Sequence, residues 1–129
     1  MPAPTSLHGF DVAPAVDRML GQPELWWQAV GLFVEHFAEW EPAWLATRGD
    51  DAAESRQVHA LRSAAANVGA SHLSCVATVL EELLSIRLAG RPVSVPASLR
   101  WYLQDCFREV WQSAAEARLG DCLPAARAA

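Results

Sequence analysis

The sequence predicts an all-α domain, an antiparallel four-helix bundle with a short additional N-terminal helix. Three observations carry this. From Asp11 onward apolar residues recur three and four positions apart, the period of helices with one buried face. No run of alternating β-branched residues and no Asn-Gly hairpin turn breaks that pattern. The stretches between periodic segments are short and built from Gly and Pro, which suits helices that lie antiparallel to their neighbours.

Residues 1–8 carry two prolines and no apolar period, and read as a flexible leader. The first helix fits Asp11 to Leu20, with Asp11 as its N-cap and Gly21 as its stop. The second opens at Pro23, a residue favoured in a first turn, and runs through Leu25, Trp26, Val30, Phe33, Phe37 and Trp40. Pro42 is expected to break or kink it, because proline lacks an N–H and clashes with the preceding turn. A further turn or two then ends near Thr47, before Gly49-Asp50. The third helix should run from Asp51 or Ala52 to Asn67 or Val68, with Gly69 ending it. Asp51 and Glu54 make a start of the capping-box kind, which would keep Glu54 out of the core although it falls on the buried stripe. Ser71 is placed to cap the fourth helix, where Leu73, Val76, Leu80, Leu83 and Leu84 repeat before Gly90-Arg91-Pro92. Ser94 and Pro96 open the fifth, through Leu99, Leu103, Phe107, Val110 and Ala114 to Leu119. The helical domain thus spans 9–119, and the Ala-rich residues 120–129 read as a tail.

At 129 residues and 14.0 kDa the chain has the size of one domain, and 52% hydrophobic residues suffice for a core. A net charge of −5, with Arg as the only strong base, disfavours nucleic-acid binding, which needs clustered positive charge. Cys75, Cys106 and Cys122 are far apart and form no CxxC pair, so neither a disulfide framework nor a cysteine-based zinc site is indicated. The N-terminus has no positive n-region and no apolar h-region, and polar residues interrupt the uncharged stretch from Ser63 to Leu80. These features predict a cytoplasmic chain with reduced thiols, without a signal peptide or a membrane span, and a monomer is expected. His36, His72 and Cys75 are too mixed a set to predict a metal site. Glu81 and Glu82 are adjacent, point different ways and read as a solvated face. Six tryptophans are assigned mainly to packing; Trp26 and Trp27 cannot both sit centrally on one face, and Trp27 is the one expected to be exposed.

The third helix carries the chemistry. On a wheel of about 100° per residue, Val58, Leu61, Ala65 and Val68 fall within about 80° of arc, and His59 lies about 140° from the centre of that stripe. His59 therefore points outward from the middle of a helix. Ser55, Ser63 and Ala66 lie along the same face and are small, so another protein can approach closely. Arg62, one turn on, is within reach of the imidazole and can bind a phosphate on it. A neutral imidazole has a free nitrogen lone pair and can attack a phosphoryl donor without a separate base.

The run His59-Ala60-Leu61-Arg62-Ser63-Ala64-Ala65-Ala66-Asn67-Val68-Gly69-Ala70 resembles the histidine-containing phosphotransfer (HPt) domain family, whose motif reads roughly H-x-L-[KR]-[GS]-[SA]-[SA]-x-x-[LIV]-G-A. Every specified position is met, although Ser63 stands where the family often has Gly and Glu54 where it tends to have Leu. Gly49-Asp50, Phe10-Asp11-Val12, Leu32-Phe33 and Leu80-Glu81 are similar to further family features, and the likeness extends over residues 9–119.

The resemblance implies a phosphoryl carrier of a multistep two-component relay. His59 would take a phosphoryl group from an aspartyl phosphate on the receiver domain of a hybrid sensor kinase and pass it to the receiver of a response regulator. Arg62 would steady the phosphate. Ser55, Arg56, Ser63, Ala66 and Gly69 would form the docking face, with Gly69 also ending the helix. The chain would need no cofactor, because Mg²⁺ belongs to the receiver. It has no Gly-rich phosphate loop and no ATP-lid pattern, so a free-standing shuttle is expected, not an autokinase. The rival reading is an interaction module of the same fold that binds or sequesters a regulator without being phosphorylated.

Overall fold

Amphipathic helices of this length can hide their apolar stripes only against one another. The computed structural model describes residues 3–122 and contains α1 (Val12–Arg18), α2 (Pro23–His36), α3 (Trp40–Leu45), α4 (Asp51–Val68), α5 (Ser71–Leu88) and α6 (Ala97–Cys122). The four long helices close a ring in which α4 packs on α2 and α5, and α6 on α5 and α2; α3 leans on α4 and α1 on α2. Antiparallel order is visible in the cross-links. Asp51 at the start of α4 pairs with Arg87 at the end of α5, and Arg118 near the end of α6 reaches Trp27 near the start of α2. The only strand-like feature among the described residues is an isolated bridge between Leu7 and Phe10. The core is the expected set: Val58, Leu61, Ala65 and Val68 of α4 meet Trp26, Val30 and Phe33, with Leu73, Leu80, Leu84, Leu103, Phe107 and Val110. Leu25, expected on the buried stripe, is exposed.

Several boundaries differ from expectation. The leader's residues 3–8 lie on the bundle. Ser113 donates to the His8 carbonyl (2.8 Å), the Ala3 N–H reaches Glu24, and Leu7 packs against the core. The first helix stops at Arg18, and Asp11 occupies the N-cap position without a side-chain cap bond. The second helix breaks at residues 37–39, ahead of Pro42, which then sits in the first turn of α3. There its missing N–H costs nothing, since first-turn N–H groups have no intrahelical partner. Ser71 does not cap α5, whose N-cap position falls on Ala70. The last helix continues to Cys122; the rest of the predicted tail lies outside the described residues.

Trp27 is buried, as Trp26 is. The Arg118 guanidinium lies 4.9 Å from the Trp27 ring centroid and donates to its carbonyl. Gly31 leaves room for that guanidinium, because a Cβ there would lie 2.9 Å from Arg118 Nη2. Glu41 of α3 accepts from Arg108 (2.8 Å) and Gln104 (2.9 Å) of α6. The Arg108 hydrogen bond holds the Glu41 carboxyl below its ordinary range, so this link is present at neutral pH and lost as pH falls through the lowered pKa.

Glu54 enters the core after all. Asp50, not Asp51, is the N-cap of α4 and accepts from the Ala53 N–H at 3.1 Å. That places Glu54 beyond the capping-box position and points it inward, 2% exposed. Its carboxylate accepts from Arg100 Nε (2.9 Å) and Nη2 (2.8 Å) and from the Trp44 indole (3.0 Å). A bidentate guanidinium and an indole N–H satisfy a charge that would otherwise be prohibitive in the core. Removing Arg100 alone should therefore be costly. Arg100→Ala is expected to lower unfolding free energy by about 3 kcal/mol, whereas the double variant Glu54→Leu/Arg100→Met should stay close to wild type. Urea denaturation of the three proteins checks this.

Candidate functional site

Position on α4 is set before any chemistry enters. The helix is fixed at its N-terminus by Asp50 and at its C-terminus by Gly69, whose φ of 86° gives the left-handed turn into α5. A Cβ on Gly69 would lie 2.7 Å from the Ala15 Cβ and 2.9 Å from the Asp11 carbonyl oxygen. This position is therefore closed to other residues by both backbone and space. Val58 and Leu61 point into the core, and His59 points away with 55% of its side chain exposed.

Across the turn, α5 brings Glu81 to the ring. Glu81 Oε2 lies 2.6 Å from His59 Nδ1, and Oε1 lies 2.5 Å from Arg62 Nε. Arg62 Nη2 stands 3.0 Å from the same Nδ1. The Arg62 Nε contact is ionic, since its N–H is not aligned for a hydrogen bond. A carboxylate only accepts, so a 2.6 Å contact requires the proton on Nδ1. Nδ1–H then has no lone pair for Arg62, and the free lone pair of a neutral ring is on Nε2. Glu81 is one-fifth exposed (19%), so water weakens its hold on the ring less than at an open surface. Ser74 of α5 donates to the Arg62 carbonyl (3.2 Å), which ties α5 to α4 beside the site, and Thr78 donates to the Ser74 carbonyl (2.8 Å) within α5.

The other expected site residues separate into two groups. Arg56, Ser63 and Ala66 are exposed and Ser55 is half-buried, all on α4. Gly69 is buried under α1, and its carbonyl accepts from the Asp11 N–H at 2.8 Å. It ends the helix but has no surface to offer a partner. His36, His72 and Cys75 are exposed, with His72 Nε2 bonded to the Tyr102 hydroxyl at 2.7 Å, and no group of three metal ligands forms among the described residues. No helix among them is long and apolar enough to cross a membrane.

Glu81 is the residue that sequence reasoning places on a solvated face and the structure places at the ring. A signal for it exists. An antiparallel hairpin folded at Gly69-Ala70 reflects one helix onto the other, and His59 lies ten residues before Gly69 while Glu81 lies eleven after Ala70.

The described residues thus form an all-helical ring in which a solvent-facing histidine of α4 has its Nδ1 bonded to a carboxylate of α5. The family model of the Hpt domain matches residues 28–129, and the chain belongs to this family, which comprises histidine phosphocarriers of phosphorelays. The match leaves the leader, α1 and the first turn of α2 outside it. No curated protein and no solved structure is a significant match.

If Glu81 fixes the tautomer, neutral His59 should be almost wholly the Nδ1–H form, and Glu81→Ala should shift it toward Nε2–H, the form free imidazole prefers. Long-range ¹H–¹⁵N correlation spectra of the two proteins read the tautomer directly. An unchanged nitrogen pattern in Glu81→Ala would show that Glu81 does not set it.

Proposed function

We propose that the protein carries a phosphoryl group on Nε2 of His59, taken from an aspartyl phosphate on one receiver domain and delivered to an aspartate on another. The observation that carries this reading is the Glu81 hydrogen bond to Nδ1, which leaves the Nε2 lone pair free on an exposed ring. In the forward step the Nε2 lone pair forms a bond to phosphorus while the bond from phosphorus to the aspartyl oxygen breaks. That electron pair leaves on the carboxylate. The ring becomes a phosphoimidazolium that keeps its Nδ1 proton, and the Glu81 carboxylate offsets the positive charge as it develops. The second transfer is the same step reversed, with a receiver carboxylate as nucleophile. No proton need enter or leave the site in either direction.

Arg62 has a different part. Its guanidinium lies on the Nδ1 side of the ring, held by Glu81. To steady a phosphate on Nε2 it turns from the carboxylate to the phosphoryl oxygens, a exchange of one anionic partner for another. Ser55, Arg56, Ser63 and Ala66 would form the face on which the receiver settles. The receivers of a hybrid sensor kinase and of a response regulator are the partners this reading calls for. Mg²⁺ would come with the receiver. A cytoplasmic monomer shuttling between the two completes the proposal.

Replacing His59 by Gln keeps size and polarity but removes the nucleophile. The variant should incorporate no acid-labile, base-stable phosphate from a phosphorylated receiver while its circular dichroism stays that of wild type. Label on the variant would place the phosphate elsewhere, and an unlabelled wild-type protein that still binds the receiver would favour a non-phosphorylated module.

Docking is tested separately through bulk on α4. Ser63→Leu and Ala66→Tyr change only exposed side chains, so unfolding free energy should move by about 0.5 kcal/mol or less. Transfer should be lost in both, because an interface core packs nearly as tightly as a protein interior. Ser63→Gly should transfer at least as fast as wild type. Rapid transfer by both bulky variants would mean that the partner approaches His59 from another side.

A further inference from the structure

Leu20 is the one non-glycine residue with a positive φ (61°) among the described residues. A bulky side chain in that region is a genuine outlier, because its Cβ crowds the neighbouring carbonyl. The turn that holds it is well formed. The Gly21 N–H donates to the Val16 carbonyl at 3.0 Å, with Met19 as the C-cap of α1. Leu20 therefore occupies the left-handed position of a Schellman turn, where glycine is the usual residue.

The side chain gains nothing in return within this chain. It is 83% exposed, more than any other large hydrophobic residue described. A lone exposed leucine is ordinary on a protein surface. A leucine that is both strained and exposed, where glycine would be better on each count, is not. The hydrogen-bonded turn also holds the side chain outward in advance of any contact, which lowers the ordering cost of binding.

Its place in the fold says what it would meet. α1 crosses the C-terminal end of α4, with the Asp11 N–H on the Gly69 carbonyl. Arg18, the last residue of α1, donates from Nη2 to the carbonyl of Ala66 at 3.0 Å. Ala66 is the far end of the exposed row His59, Ser63 and Ala66, and Leu20 follows Arg18 by two residues. The turn is thus tied to the end of the face proposed above for docking.

We propose that Leu20 is an apolar anchor for the receiver domain, entering an apolar recess on the receiver when that domain settles over His59. The proposal rests on the phosphocarrier reading and adds a specificity element that takes no part in the chemistry. A hydrocarbon side chain held rigidly at the rim of a small-residue face fits a recess better than a charged patch, and the strain of its backbone does not oppose its burial.

The test is single-turnover transfer from a phosphorylated receiver, measured against protein concentration, for wild type, Leu20→Gly and Leu20→Met. Leu20→Gly should melt a few degrees higher, about 2–5 °C, because glycine relieves the left-handed strain. Its half-saturating concentration should rise roughly tenfold, as for loss of a typical anchor contact, with the limiting rate within about twofold of wild type. Leu20→Met keeps an apolar side chain in the same turn and should saturate like wild type. Half-saturation unchanged in Leu20→Gly, or equally weakened in Leu20→Met, overturns the anchor. Wild-type protein that takes up no label overturns the carrier reading, and the anchor with it. Wild-type protein that takes up label, with the same half-saturating concentration in Leu20→Gly, overturns the anchor alone.

Discussion

The orientation of α4 depends on three indole N–H groups behind it. Trp26 donates to the carbonyl of Val68 (2.8 Å), Trp40 to that of Gln57 (2.9 Å) and Trp44 to the carboxylate of Glu54. Each of these rings is buried, so each N–H must find a partner or leave an unmet donor in the core, at about 1–3 kcal/mol apiece. Turning α4 about its axis by one residue would break all three contacts together and carry Val58 and Leu61 out of the core. The outward direction of His59 thus follows from what the opposite side of its helix is bonded to. It also gives the tryptophan content a physical reason: these side chains fill the space between helices and fix one of them in rotation.

Rotation alone does not build a site, because Glu81 belongs to another helix. Its arrival is a matter of translation, set by the turn at Gly69-Ala70. The left-handed glycine ends α4 sharply, α5 begins two residues later, and the two helices run back to back with Asp51–Arg87 closing the far end. One residue more in that turn would move Glu81 along and around its helix, away from Nδ1. The same glycine is pressed by Ala15 and by the backbone of Asp11. α1 therefore seats the turn that sets the register of the site, although it contributes no residue to the histidine cluster.

Much of this was legible from the residues. The four long helices, their buried stripes, the glycine stop and the outward histidine all follow from local periodicity and turn chemistry. What escaped was relational. Pro42 signalled a break, but whether the chain breaks at it or ahead of it depends on where Trp40 and Trp44 find their partners on α4. Glu54 looked like a cap because Asp51 stood three residues before it; Asp50 took that role, and Arg100, far along the chain, made burial of the carboxylate tolerable. Trp27 looked exposed because no local pattern announces Arg118 over its ring. The leader looked loose because its partners, Glu24 and Ser113, are remote in sequence. Glu81 escaped for the same reason, since helical period assigns a residue to a face and says nothing of which neighbour that face meets.

The charges around the ring also bear on why a carrier would be built this way. A carrier has to accept a phosphoryl group and then surrender it, so its phosphorylated state cannot be held too firmly. Before transfer, Glu81 and Arg62 neutralise each other beside the ring. After the proposed transfer the ring is positive and the phosphate negative, and Arg62 is shared between two anions. Whatever Arg62 contributes to holding the phosphate is reduced by what it gives up at Glu81, because the same guanidinium cannot serve both fully. Glu81 in turn would stabilise the imidazolium through Nδ1, while its negative charge lies on the side away from the incoming phosphoryl group, where its repulsion would be weakest. On the proposed chemistry the arrangement would favour the transition state, in which ring charge is developing, without making the phosphorylated histidine a deep well.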